Sequence, residues 1–199
     1  MATIRDTLKN IQSKLYEGIG FSSDEAKIEA RFILEHVLKI TQKEIIQKSD
    51  LHIDTDSQVE IEYITEKRIA GIPLPYLLGE WSFYGRTFKV NPHVLIPRAD
   101  TEVLIEKALS KINAHDHNEI LDLGCGTGII GITIALERPL SKVTLIDQSQ
   151  HAIQNTKQNK KSNLSSSSFS ISSQLLGEPY HSPDFMRGEK EANSFIDLL

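Results

Sequence analysis

Along the first part of the chain, Ile4, Leu8, Ile11 and Leu15 recur at steps of four, three and four. That spacing sets one apolar stripe on a helix expected over residues 3–17, with Gly18 and Gly20 ending it. Ser22 and Glu25 stand at capping-box spacing, and Ala26, Ala30, Ile33, Leu34, Val37 and Leu38 then carry a second helical face. Thr41 can open a short third helix. Val59, Ile61 and Ile64 mark a fourth over 57–70, before Gly71, Pro73 and Pro75 break the pattern. Residues 1–72 therefore predict an N-terminal helical domain.

The period changes between residues 81 and 96. Phe83, Phe88, Val90, Val94 and Ile96, interrupted by Gly85 and Asn91-Pro92, predict short strands and turns, so 73–100 reads as a connector built on a β-hairpin. Asp100 or Thr101 is expected to cap a helix to residue 112, buried through Val103, Leu104, Ala108 and Leu109. From residue 119 strands and helices alternate: a strand at 120–123, a glycine loop, a helix to 136, a strand at 143–146 and a polar helix over 149–161. A serine-rich loop over 163–173 leads into a third strand near 169–171, and 195–199 reads as a fourth. The fold class is thus α/β: a helical bundle, a hairpin connector, and over 101–199 the incomplete beginning of a Rossmann-like parallel sheet.

Composition narrows this little. The 199 residues are 39% hydrophobic and 25% charged, the make-up of an ordinary soluble protein. One cysteine, Cys125, excludes a disulfide within the chain. Residues 1–10 show no secretory leader, and no stretch approaches the roughly 20 apolar residues of a membrane-spanning helix, so a cytoplasmic monomer away from the membrane is expected. A net charge of -5 gives no basic footprint for direct nucleic-acid contact.

The segment that carries chemistry runs Asp122-Leu123-Gly124-Cys125-Gly126-Thr127-Gly128, between an expected strand and an expected helix. Glycines let the backbone turn sharply and approach a ligand, while the first N–H groups of a helix favour a carboxylate or phosphate. Nineteen residues after Gly128 comes Asp147, at the end of the next strand, where a carboxylate can accept the hydroxyls of an adenosine ribose. Gly126, Gly128 and Gly131 also satisfy G-x-G-x-x-G, which points to a dinucleotide such as NAD instead. The bland alternative is a ligand-free turn with Asp147 capping the helix that follows. Asp122, opening D-x-G-x-G-x-G, favours a methyl donor, because that arrangement resembles the class I methyltransferases. Cys125 has no His or Lys fixed beside it by the sequence and reads as a small loop residue rather than a nucleophile.

The connector narrows the resemblance. Gly79-Glu80-Trp81-Ser82-Phe83-Tyr84-Gly85-Arg86-Thr87-Phe88-Lys89-Val90, followed by Val94-Leu95-Ile96-Pro97-Arg98-Ala99-Asp100-Thr101-Glu102, resembles the signature of protein-(glutamine-N5) methyltransferases of the HemK/PrmC type. Ala99 stands where that family usually has a proline. The resemblance implies S-adenosyl-L-methionine as cofactor, held by Asp122, Gly124, Cys125, Gly126, Thr127, Gly128 and Asp147. It implies a peptide chain release factor as partner, methylated on the glutamine of its Gly-Gly-Gln loop. In the family an Asn-Pro-Pro-Tyr motif after the fourth strand holds the substrate amide; none occurs in these 199 residues, so no catalytic residue is assigned and a truncated, inactive copy is expected. Gln174 and Leu175 fall where the family places an acid and an aromatic near the adenine. Two other readings stay open: a fragment of a DNA or RNA base methyltransferase, and a non-catalytic remnant that binds donor or release factor.

The remaining candidates carry less. His115 and His117 have the spacing of a metal pair but no third ligand, and Lys157, Lys160 and Lys161 read as the wet face of a polar helix.

Overall fold

The computed structural model describes residues 2–164 and 170–175. The chain divides into two compact units, Met1–Leu78 and Gly79–Leu199.

The first unit is helical. Thr3 caps α1 (Ile4–Ile19) by accepting the Asp6 N–H. Ser22 and Thr41 each form a capping box, with Glu25 on α2 (Ser23–Leu38) and Glu44 on α3 (Gln42–Gln47). Asp54 caps α4 (Thr55–Ile69). Helix α1 runs past Gly18, because Gly20 at φ 77° supplies the left-handed cap residue. Gly18 serves packing instead: a Cβ there would lie 2.9 Å from Ile69 Cγ2 on α4. Ile11, Leu15, Ala30, Ile33, Leu34, Ile61 and Ile64 share one core. Val59, expected on that core, is 64% exposed. At 100° per residue it lies across the helix from Ile61, and the inward face is Ile61, Ile64 and Thr65. A short helix, α5 (Leu74–Leu78), occupies the stretch read as a proline break. Pro75 is tolerated because it sits in the first turn, where its missing N–H has no intrahelical acceptor to lose.

The second unit opens with the hairpin. Strands β1 (Glu80–Phe83) and β2 (Arg86–Lys89) pair antiparallel around Tyr84 and Gly85. Both turn residues have positive φ, 48° and 69°, as a tight primed turn requires. Helix α6 (Asp100–Lys111) follows. Neither Asp100 nor Thr101 caps it: Ala99 holds the cap position in helical conformation, with no side-chain bond to the helix start. Glu102 instead reaches back and accepts the Tyr84 N–H at 2.9 Å, tying α6 to the hairpin turn. The buried residues of α6 are Ile105 and Ala108, whereas Val103 is half exposed.

Beyond α6, β3 (Glu119–Leu123), α7 (Ile129–Glu137), β4 (Lys142–Asp147), α8 (Gln150–Asn163) and β5 (Ser170–Leu175) alternate. The three strands run parallel in the order β3-β4-β5. Ile120, Ile134, Val143, Leu145 and Ile153 form the core between sheet and helices. The third strand is longer than expected and begins just after residue 169. The strand read at 195–199 lies outside the described residues. Among the described residues no helix is long and apolar enough to cross a membrane.

Candidate functional site

The crossover from β3 to α7 is held by a closed set of hydrogen bonds. Gly124, Gly126 and Gly128 all have positive φ, 72°, 53° and 75°, which explains glycine at these turns. The N–H groups of Gly124 and Cys125 both donate to the Ile146 carbonyl, at 2.8 and 3.0 Å, so the loop is pinned to the end of β4. Gly128 N–H donates to the Cys125 carbonyl at 2.7 Å.

Asp147 is the hub. Its Oδ2 accepts the Gly126 N–H at 2.9 Å and its Oδ1 accepts the Ser149 N–H at 2.8 Å. The carboxylate therefore joins the loop to the turn before α8, whose cap is Ser149 and not Asp147: the Ser149 side chain accepts the Ala152 N–H. Each carboxylate oxygen has a second lone pair, so two hydroxyl donors can still be accepted.

Asp122 is buried at the other side of the loop, with Oδ2 accepting the Gly131 N–H at 3.0 Å. Burial pushes its carboxyl up to about 6, with the nearby charge of Asp147 adding to the rise and the Gly131 bond opposing it. The first N–H groups of a helix have no intrahelical acceptor. At the start of α7, Gly128 and Gly131 find acceptors at Cys125 and Asp122, while the Ile129 and Ile130 N–H groups between them have no acceptor among the described residues.

Two loop residues turn inward. Cys125 joins the apolar cluster under the sheet, its Sγ 3.5 Å from Thr156 Oγ1, and burial pushes its thiol up to about 12. A thiol held protonated is no nucleophile. Thr127 is buried as well, so both offer a ligand their backbone more than their side chains. Gly131 is small for packing: a Cβ there would lie 2.6 Å from Leu145 Cδ2. Close helix–strand packing is what the third glycine of G-x-G-x-x-G provides in any such fold, so this position does not separate a methyl donor from a dinucleotide.

Helix α8, read from sequence as merely polar, supplies what the sequence reasoning missed. Asn155, Thr156 and Asn159 are at most 2% exposed. Thr156 Oγ1 donates to the Gly126 carbonyl at 2.9 Å, and Asn159 Nδ2 to the Thr127 carbonyl at 2.9 Å. Their recurrence with Ala152 at helical spacing is the signal that could have revealed an inward stripe. Of Gln174 and Leu175 only the backbone is described; they pair with Ile146 and Asp147, beside the hub. His117 Nδ1 lies 3.1 Å from the Leu140 carbonyl on the surface, and the described residues contain no cluster of three metal-ligating side chains.

Parallel strands with helical crossovers, a glycine loop after the first strand and an acid closing the second define a Rossmann-like class I methyltransferase domain. Comparison with known proteins agrees: residues 99–184 match the family model described as Methyltransferase small domain, and residues 8–79 match the PrmC N-terminal domain. The chain belongs to the HemK/PrmC family of methyltransferases. A protein of Vibrio cholerae named Release factor glutamine methyltransferase is 36% identical over 79% of this chain and 54% of its own length. Proteins of the same name from Neisseria gonorrhoeae and Coxiella burnetii are 36% and 32% identical, over 67% and 77% of this chain and 48% and 54% of their own lengths. The chain thus spans about half the length of the curated relatives it matches. The cofactor of such domains is S-adenosyl-L-methionine.

Proposed function

We propose that this chain binds S-adenosyl-L-methionine across the β3–α7 loop and the end of β4, and serves the methylation of a glutamine side chain in a peptide chain release factor. The observation that carries the reading is the Asp147 carboxylate bonded to the Gly126 N–H, which sets an acid and a helix start on one rim. Asp147 would take the ribose hydroxyls, the positive-φ turns at Gly124, Gly126 and Gly128 would let the backbone close on the donor, and the Ile129 and Ile130 N–H groups would take its carboxylate. Asp122 would act on the ligand through Gly131, by fixing the start of α7. The relatives' shared name supports the release factor as partner.

The donor supplies an electrophilic methyl group. An amide nitrogen is a weak nucleophile because its lone pair is delocalised into the carbonyl, so alignment must provide much of the rate. The residues described would hold the donor side of that geometry. For the 199-residue chain by itself the expected result is therefore donor binding without transfer.

Calorimetric titration with S-adenosyl-L-methionine, and separately with NAD, tests the binding. Saturable uptake of the first and none of the second is expected, and Asp147→Ala should weaken it at least tenfold through lost hydrogen bonds to a charged group. Uptake of NAD alone, or of neither by a folded sample, overturns the reading. Labelled donor offered with release factor or with DNA separates the substrate classes; methyl transfer to DNA would replace the proposed substrate, and robust transfer to release factor would refute the expected inactivity.

A further inference from the structure

Asn159 is fully buried on α8, yet the partners its amide meets among the described residues are polar. Its Oδ1 accepts the Lys89 N–H at 2.6 Å, and its Nδ2 faces the Lys89 carbonyl at 2.9 Å, the Thr127 carbonyl at 2.9 Å and Asn155 Oδ1 at 3.0 Å. The Lys89 N–H must find an acceptor, so the orientation of the amide is set by chemistry, and two Nδ2 protons are shared among three acceptors. Lys89 ends β2 of the hairpin, and Thr127 lies in the glycine loop. One side chain thus bonds the backbones of two segments 38 residues apart in sequence. A residue needed only to fill space would be apolar here, since burying an amide brings stability only when all its groups are satisfied.

We propose that Asn159 is a positioning residue for the methyl donor: by bridging Lys89 and Thr127 it sets the glycine loop's geometry and makes the hairpin respond when that loop closes on its ligand. The inference rests on the donor-binding reading above. On either side the bridge is backed by parallel contacts: Thr156 on the Gly126 carbonyl, and Asn163 Nδ2 on the Thr87 carbonyl at 3.1 Å. Among the described residues, only Asn159 has side-chain hydrogen bonds to both loop and hairpin.

Two measurements test it. In the first, donor affinity of Asn159→Asp is compared with that of the unaltered chain from pH 5 to pH 8. The new carboxyl would be buried against the Lys89 and Thr127 carbonyls, which disfavours its ionised form. Protonated, it can still donate one hydrogen bond; ionised, it repels both carbonyls. Affinity should fall roughly tenfold or more at pH 8 relative to the unaltered chain and recover toward pH 5, on the scale of one or two lost hydrogen bonds. Asp122 and Asp147 on the strand ends, Lys89 on β2, and Lys157 and Lys160 on α8 are common to both proteins, so the ratio isolates position 159. A ratio that does not move with pH overturns the proposal.

The second measurement needs no variant. In a nitrogen-15 spectrum of the unaltered chain, the Lys89 amide signal should shift, and its hydrogen exchange slow, as S-adenosyl-L-methionine is added. If the donor binds and Lys89 stays unmoved, the bridge carries nothing and the proposal fails. If no donor binds, the donor-binding reading itself fails, which is a separate outcome.

Discussion

Replacing a helical glycine by alanine usually stabilises a protein, by up to about 1 kcal/mol, because the glycine chain has more freedom to lose. Gly131 on α7 should behave the other way. The added methyl would sit 2.6 Å from Leu145 Cδ2, 3.1 Å from Leu145 Cγ and 3.1 Å from Asp122 Oδ2. Carbon atoms pack best at about 3.5–4.0 Å, so the overlap approaches an ångström. Leu145 is fully buried on the central strand β4 and has nowhere to retreat. Overpacking of this kind costs about 1–3 kcal/mol. The methyl also presses on the carboxylate that accepts the Gly131 N–H, putting a buried hydrogen bond worth about 1 kcal/mol at risk. Set against the propensity gain, the net expectation is a loss of about 2 kcal/mol.

Gly18 is the internal control. The atoms nearest its added methyl would be Ile69 Cγ2, Cγ1 and Cδ1, at 2.9 to 3.3 Å, a smaller overlap against a side chain less buried than Leu145. Gain and cost should then cancel to within about 0.5 kcal/mol. Trp81 is the chain's one tryptophan and belongs to the second unit, so its fluorescence in urea reports on the unit holding Gly131, while far-ultraviolet circular dichroism sums the helices of both units and reports on those around Gly18 where it departs from the Trp81 curve. A Gly131→Ala chain as stable as the original, or a Gly18→Ala chain that loses as much, would refute the packing argument.

The buried Asp122 carboxyl, raised to about 6, contributes stability to the second unit that is fully present below about pH 4 and is lost as pH rises through about 6, by at most about 3 kcal/mol. Asp122→Asn keeps an acceptor for Gly131 and should flatten the dependence of the Trp81 urea midpoint between pH 4.5 and 7.5; an unchanged slope speaks against it. The helical unit should respond oppositely in acid. Glu44 is held down to about 2 by the Thr41 backbone N–H, by Lys48 and by the Thr41 hydroxyl, so its contribution is present above about pH 4.5 and lost as pH falls toward 2. Glu44→Gln, which removes the titrating carboxyl and keeps an acceptor for the Thr41 N–H, should therefore shrink the loss of helical signal over that range, and an identical acid titration would count against this role of Glu44. Cys125 should react with a disulfide reagent only after unfolding, because its thiol is buried and held protonated; prompt labelling of the native chain would contradict this.

The sequence disclosed what rests on local chemistry and hid what rests on tertiary contact. Helix starts at Ser22 and Thr41 were legible because a side chain bonds its own helix start, while the cap at Thr3 was read as part of the helix. The glycine loop was legible because positive φ leaves few residue choices at Gly124, Gly126 and Gly128. Val59 and Val103 misled because hydrophobicity alone does not choose a face: Ile61 and Ile105 won the inward positions. Ala99 in helical conformation removed the expected cap on α6, and its place was taken by a contact in reverse, Glu102 holding the hairpin turn. Most was hidden on α8, where a hydrophobic pattern sees only Ala152 and Ile153. Asn155, Thr156 and Asn159 are buried because loop and hairpin leave backbone carbonyls facing the helix, and a buried carbonyl without a donor costs about 1–3 kcal/mol. The polarity of that stripe is thus dictated by the backbone it meets. The same need for donors holds the loop itself: Asp147 and Asp122 each take a loop or helix N–H, so the two acids that frame the site also hold its shape. The affinity of that rim for a ligand therefore depends on how firmly α8 keeps it in place.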